Sequence, residues 1–170
     1  KNDYVLVTLH RPSNVDNRKS LELFYDIFEY LSQFKKIVFP MHPRTKKMME
    51  EYDMLTKFNK IDNLIIVEPM EYIDFLNCMM NAYFVMTDSG GIQEETTFLD
   101  IPCLTLRTTT ERPITIELGT NRLIVPQTDH IKFAIDSFLK SQPKRIAMPP
   151  LWDGQAGLRI ANIISNNILN

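Results

Sequence analysis

Apolar residues along this chain follow two alternating rhythms. Short unbroken runs have strand length: Tyr4 to Leu9, Ile37 to Met41, Leu64 to Val67, Ala82 to Met86, Cys103 to Leu106 and Arg122 to Val125. Between them, apolar positions return every three or four residues, the period of a helix with one buried face. Leu21, Phe24, Phe28 and Leu31 form one such stripe, and Tyr72, Phe75, Leu76, Met79 and Met80 another. Ile92, Thr96 and Leu99 mark a third, and Ile131, Ala134, Ile135 and Phe138 a fourth. Residues 45 to 58 are highly charged but helical in pattern. A last helix is expected from Gly157 to Ile168, after the proline-rich stretch from Pro143 to Pro150.

Strands that are apolar throughout are buried on both faces, and their regular alternation with helices implies a parallel sheet covered on both sides. Right-handed crossovers make that an α/β doubly wound, Rossmann-like fold. The chain of 170 residues is expected to form a single domain, residues 1–170, with no internal repeat. Hydrophobic residues make up 44% and charged residues 24%, the balance of a soluble globular chain. A net charge of −2 argues against nucleic acid as the main partner. Two cysteines in apolar runs, Cys78 and Cys103, suit a reduced cytoplasmic protein. No Cys/His cluster has metal-ligand spacing, and no apolar stretch reaches membrane length. The chain begins Lys1-Asn2-Asp3 without a methionine, so a fragment of a longer protein is expected.

Doubly wound folds bind ligands beyond the carboxyl ends of their strands. The candidate chemistry lies there: His10-Arg11 after the first strand, His42-Pro43 after the second, Ser89-Gly90-Gly91 after the fourth, and Arg107 to Arg112 after the fifth. The segment Thr87-Asp88-Ser89-Gly90-Gly91-Ile92-Gln93-Glu94-Glu95 carries the strongest signal. A Ser-Gly-Gly turn opening a helix offers free N–H groups at the positive end of the dipole, and glycines let an anion approach the backbone. A glutamate one turn on could take sugar hydroxyls, so the implied ligand is a nucleotide or nucleotide-sugar. Ser89 as a plain helix cap is the bland alternative. Imidazoles at the same edge add groups that exchange protons near neutral pH. There is no Gly-x-Gly-x-x-Gly after the first strand, so a dinucleotide cofactor is not supported.

Taken together, Leu6-Val7-Thr8-Leu9-His10-Arg11, His42-Pro43, Asp88-Ser89-Gly90-Gly91-Ile92-Gln93-Glu94-Glu95, and Leu106-Arg107 through Thr110-Glu111-Arg112-Pro113 to Gly119-Thr120 resemble the non-hydrolysing UDP-N-acetylglucosamine 2-epimerases. The resemblance covers residues 4 to 125 in order and spacing, extends to the final helix, and concerns the carboxyl-terminal half of that family only. It implies one half of a GT-B-type two-domain enzyme, with the amino-terminal domain absent and the substrate in the cleft between domains. It further implies a homodimer in the full-length protein and no cofactor.

By that resemblance, Ser89, Gly90 and Gly91 would hold the phosphates of UDP, Glu95 both ribose hydroxyls, and Phe75 the uracil ring. A core aromatic is the other reading of Phe75. Arg112 would face the cleft or phosphates, and His10 the reacting end of the sugar. Arg11 and His42 match positions that in some members help bind a second UDP-N-acetylglucosamine as an allosteric activator. The implied reaction converts UDP-GlcNAc to UDP-ManNAc by eliminating UDP and re-adding it to a 2-acetamidoglucal, in an isolated domain expected to be inactive. Departures from the family pattern are Ser13, where His-Arg-x-Glu-Asn has Glu, Thr108 and Ile114 at commonly acidic positions, and Asp100 at a frequent Gly. They bear on the sugar and on allostery more than on UDP. Other readings are a hydrolysing epimerase, a UDP-diacetamido-uronic acid epimerase, a nucleotide-sugar domain of a GT-B glycosyltransferase, or a regulatory module.

Overall fold

A computed structural model describes residues 3–168. Six strands form one parallel sheet: β1 (Tyr4–Thr8), β2 (Lys36–Pro40), β3 (Leu64–Val67), β4 (Val85–Thr87), β5 (Cys103–Leu106) and β6 (Asn121–Ile124). Their order is β3-β2-β1-β4-β5-β6. The chain builds outward from β1 to β3, then crosses back to place β4 on the other side of β1. This reversal opens a crevice above β1 and β4, where a doubly wound sheet holds its ligand. The expected Rossmann-like fold is therefore the observed one.

Alternation along the strands divides the core into two layers. Val5, Val7, Leu9, Ile37, Phe39, Phe84, Met86, Leu104 and Leu106 face the larger core. That layer is closed by α2 (Arg18–Ser32) through Leu21, Phe24, Phe28 and Leu31, and by α8 (Thr128–Lys140) through Ile131, Ala134, Ile135 and Phe138. Leu6, Val85 and Cys103 face the opposite way, against Met79 and Leu76 of α5 (Tyr72–Asn81) and Ile92 and Leu99 of α6 (Gly90–Leu99). The stripes expected on α2 and α8 are thus the buried ones, whereas on α5 Met79 is buried, Phe75 and Leu76 are half-buried, and Tyr72 and Met80 are exposed. Cys103 is fully buried, which pushes its thiol up to about 12 and leaves it inert; Cys78 is half-buried, and both are free.

Several boundaries differ from the expected ones. Residues 45 to 58 form two helices, α3 (Pro43–Glu51) and α4 (Leu55–Phe58), because Asp53 turns left-handed at φ 56° and ends the first. Two short helices escaped the hydrophobic pattern, α1 (Pro12–Val15) and α7 (Ile114–Glu117). One turn each is too short to display a period. The fourth strand ladder starts at Val85, although Tyr83 N–H already reaches the Tyr4 carbonyl at 2.7 Å. The last helix, α9 (Ala156–Ile168), leaves Leu158, Ile160, Ile163 and Ile164 at least half exposed. Buried Asn121 ties the layers near the crevice: its amide donates to the Gln93 carbonyl (2.9 Å) and Thr97 Oγ1 (3.0 Å), while Thr105 donates to its oxygen (2.9 Å).

Candidate functional site

Strands β1, β2, β4 and β5 end on one edge, and their following loops meet there. The loop after β4 turns through Ser89 into α6. Ser89 N–H donates to Thr87 Oγ1 at 3.0 Å, while its own side chain makes no capping bond. The plain-cap reading of Ser89 is therefore not what its hydroxyl does. Helix geometry leaves the N–H groups of Gly90, Gly91 and Ile92 without carbonyl partners inside the helix, at its positive end. A Cβ on Gly91 would meet nothing within 4 Å, so the approach to the loop is open there. A Cβ on Gly90 would come within 2.8 Å of Arg112 Nη1, so the guanidinium lies directly over that glycine.

Arg112 is held in place by the loop after β5. Thr110 Oγ1 donates to Gln93 Oε1 at 2.6 Å and accepts from Arg112 N–H at 3.0 Å. Gln93, buried on the first turns of α6, donates back to the Ser89 carbonyl at 3.2 Å. This chain of amide and hydroxyl fastens the Thr110-Glu111-Arg112-Pro113 segment onto the Ser-Gly-Gly turn. Arg112 Nε lies 2.9 Å from Glu94 Oε2 but outside hydrogen-bonding geometry, and its Nη1 lies 3.6 Å from Glu111 Oε2, so the guanidinium is ion-paired to two carboxylates with no hydrogen bond through Nε. Arg107, by contrast, is engaged: both its Nη atoms donate to Glu111 at 2.7 and 2.6 Å, and these bonds hold the Glu111 carboxyl down at about 2.

The loop after β1 approaches from the other side of the crevice. Asp88, fully buried, receives His10 N–H at 3.1 Å, Arg11 N–H at 2.9 Å and the Asn14 amide at 3.0 Å. His10 Nδ1 lies 3.0 Å from its Oδ1. Burial alone would raise the Asp88 carboxyl, but these donors outweigh it and hold the group below the usual carboxylate value. Arg11 Nε returns a bond to the Asp88 carbonyl at 2.9 Å. His42, at the head of α3, packs its ring 5.3 Å from that of His10 and accepts the Arg44 N–H on Nδ1. Desolvation, then repulsion from His10 and Arg44, pulls His42 below the usual histidine value against an opposing pull from Asp88.

Glu95 stands one turn into α6, facing α5. It lines a groove of about 420 Å³ with Tyr72, Leu76, Phe98 and Trp152. Desolvation there raises its carboxyl above the usual value, opposed by a hydrogen bond from Tyr72 and reinforced by Glu94. Phe75 is half-buried against the smaller core, one turn from Tyr72. The edge thus assembles His10, Arg11, His42, Ser89, Gly90, Gly91 and Arg112, with Glu95 in the groove alongside. Asp88, Asn14 and Gln93 were given no role by sequence reasoning. Each appeared within a motif, but what they do rests on burial beneath loops distant in the chain.

Comparison with known proteins identifies the family and the fold. The family model described as UDP-N-acetylglucosamine 2-epimerase matches residues 1–165. The chain is 41% identical over 165 residues to UDP-N-acetylglucosamine 2-epimerase of Methanocaldococcus jannaschii, covering 96% of this chain and 44% of that protein. It is 33% identical over 171 residues to the Escherichia coli enzyme of the same name, again covering 44% of it. The chain therefore spans a little under half the length of these relatives. It superposes on a crystal structure of the Methanocaldococcus jannaschii enzyme in complex with UDP-GlcNAc and UDP at a TM-score of 0.86 and 39% identity, covering 97% of this chain and 46% of that one. A heptosyltransferase of Escherichia coli shares the fold alone, with a TM-score of 0.58 at 17% identity. A match over nearly the whole chain establishes that the chain belongs to the UDP-N-acetylglucosamine 2-epimerase family.

Proposed function

We propose that this chain is the UDP-binding, carboxyl-terminal half of a two-domain, GT-B-type enzyme that interconverts UDP-GlcNAc and UDP-ManNAc without releasing the sugar. The observation that carries the reading is the Ser89-Gly90-Gly91 turn, open at Gly91, with the Arg112 guanidinium over Gly90. The diphosphate of UDP sits on the first-turn N–H groups of α6 beneath Arg112, the uracil lies toward Phe75, and the ribose hydroxyls reach Glu95. Loss of the C2 hydrogen as a proton, with the C1–O bonding pair leaving on UDP, gives a 2-acetamidoglucal. UDP then re-adds as a proton returns to the other face. Stabilising negative charge on departing UDP lowers the barrier, so the nucleotide site is itself catalytic. His10 meets the reacting end of the sugar, and Arg11 and His42 flank it, where a second nucleotide-sugar would act as activator.

The other half of the protein supplies the remaining cleft wall and the carboxylates that move the C2 proton. The exposed apolar residues of α9 fit a helix that the other half covers, and the full-length protein is a cytoplasmic homodimer. Residues 1–170 alone should bind UDP weakly and turn over no UDP-GlcNAc, since neither desolvation nor proton transfer can be assembled on one wall. The deciding experiment incubates the full-length protein with UDP-GlcNAc and follows products by NMR. UDP-ManNAc at equilibrium with substrate is the expected result. Accumulating free UDP and ManNAc would mean a hydrolysing enzyme, and no UDP binding would overturn the nucleotide site.

Gly90→Ala separates binding from folding. Alanine is at least as good a helix former as glycine, so melting temperature should hold or rise slightly. Its methyl group would displace Arg112 and close the approach to the turn. UDP affinity should fall about tenfold, or about 1.4 kcal/mol. Calorimetry showing unchanged affinity would remove both the turn and Arg112 from the phosphate site.

A further inference from the structure

We infer that Asp88 is a positioning residue: its buried carboxylate keeps the imidazole proton of His10 on Nδ1 and so presents an unprotonated Nε2 to the crevice. The inference rests on the proposed role of this edge as the reacting site. Three features carry it. His10 Nδ1 lies 3.0 Å from Asp88 Oδ1, and that carboxylate has no exposed surface. A carboxylate only accepts, so the ring nitrogen beside it must be the one that bears hydrogen. Nε2 has no hydrogen-bond partner among the described residues, and the side chain is 37% exposed, which leaves this second nitrogen as the atom free to take a proton or accept a hydrogen bond.

The carboxylate also holds the ring where it is. His10 and Arg11 both donate their backbone N–H groups to Asp88, and Arg11 Nε clasps the Asp88 carbonyl. Asn14 donates one hydrogen-bond set to Asp88 Oδ2 and to the Leu106 carbonyl, at 3.0 and 3.2 Å. The loop after β1 is thereby referenced to the residue immediately before Ser89. One side chain fixes the distance between the imidazole and the phosphate turn, and a misplaced catalytic group loses rate even when its chemistry is intact. A carboxylate whose only task was to seal a strand end would be satisfied by the backbone donors and Asn14; it would need no imidazole.

The test uses the full-length protein with ¹⁵N-labelled histidine. Long-range ¹H–¹⁵N spectra of the wild type at a pH where His10 is neutral should report the Nδ1–H form. Asp88→Asn should switch it to the Nε2–H form, because the amide can donate to Nδ1. The same variant should lower kcat for UDP-GlcNAc at least tenfold while UDP affinity stays within about threefold. Adding it to His10→Asn should cost no further rate. A wild-type spectrum of the Nε2–H form overturns the inference without any variant, so a poorly folding Asp88→Asn does not shelter it. Unchanged kcat in a folded Asp88→Asn also overturns it. A wild type that shows the Nδ1–H form but never acts on UDP-GlcNAc would count against the proposed function and leave the tautomer assignment standing.

Discussion

Replacing His10 with asparagine in the full-length protein is expected to lower kcat by about 10²-fold or more, the usual scale for a positioned acid–base group. The residue stands just beyond β1, at the edge where the sheet reverses, with its ring partly exposed and one nitrogen unpartnered among the described residues. Such a side chain has little to contribute to the core. Asp88 would keep the His10 and Arg11 backbone donors and the Asn14 amide, and the new asparagine amide can still donate to it. The melting temperature should therefore change by no more than a degree or two, and UDP affinity should hold because the phosphate turn is untouched. A histidine that merely ties down the strand end predicts the reverse. Preserved turnover together with a melting temperature several degrees lower would end the catalytic assignment.

The sheet was legible because its central strands are buried on both faces, unlike the edge strands β3 and β6: Val5, Leu6 and Val7 are all inaccessible, so no polar residue interrupts the run. Helices α2 and α8 were legible for the complementary reason, a stripe that coincides with the buried face. Less visible was the break at Asp53, where an aspartate occupies the left-handed position that a glycine would have advertised. The crevice shows the same division. Gly90 and Gly91 announce a candidate anion site through their missing side chains, and His10 and His42 stand out by chemistry. Asp88 does not: its partners lie 74 to 78 residues away, and its role appears only when β1 and β4 become neighbours. Gln93 is hidden likewise, because its link from Ser89 to Thr110 requires the loop after β5 to fold over α6. Phe75 and Tyr72 share one helical stripe, and only packing separates the half-buried ring from the one lining the Glu95 groove.

Glu95→Ala in the full-length protein should weaken UDP binding by about 1.5–3 kcal/mol, roughly 10- to 150-fold. That loss comes from replacing charge-assisted bonds to two ribose hydroxyls with a methyl group in a groove already partly shielded from water. Glu94→Ala should cost less, since successive helical side chains diverge by about 100° and Glu94, although it also borders the groove, is ion-paired to Arg112. Titration supplies an independent signature. Desolvation raises the Glu95 carboxyl in the unliganded protein, and only the ionised form can accept from both hydroxyls. Binding thus favours the deprotonated state, so affinity is intact above this raised pKa and falls as the pH drops through it, sooner than for an ordinary glutamate. The phosphates of UDP also protonate on acidification, but they do so equally for wild type and variant. Calorimetric UDP affinities measured across mildly acidic pH should therefore converge for the two proteins as the pH falls. A constant gap would mean that Glu95 acts through packing alone, and equal affinities at neutral pH would rule out its contact with the ribose.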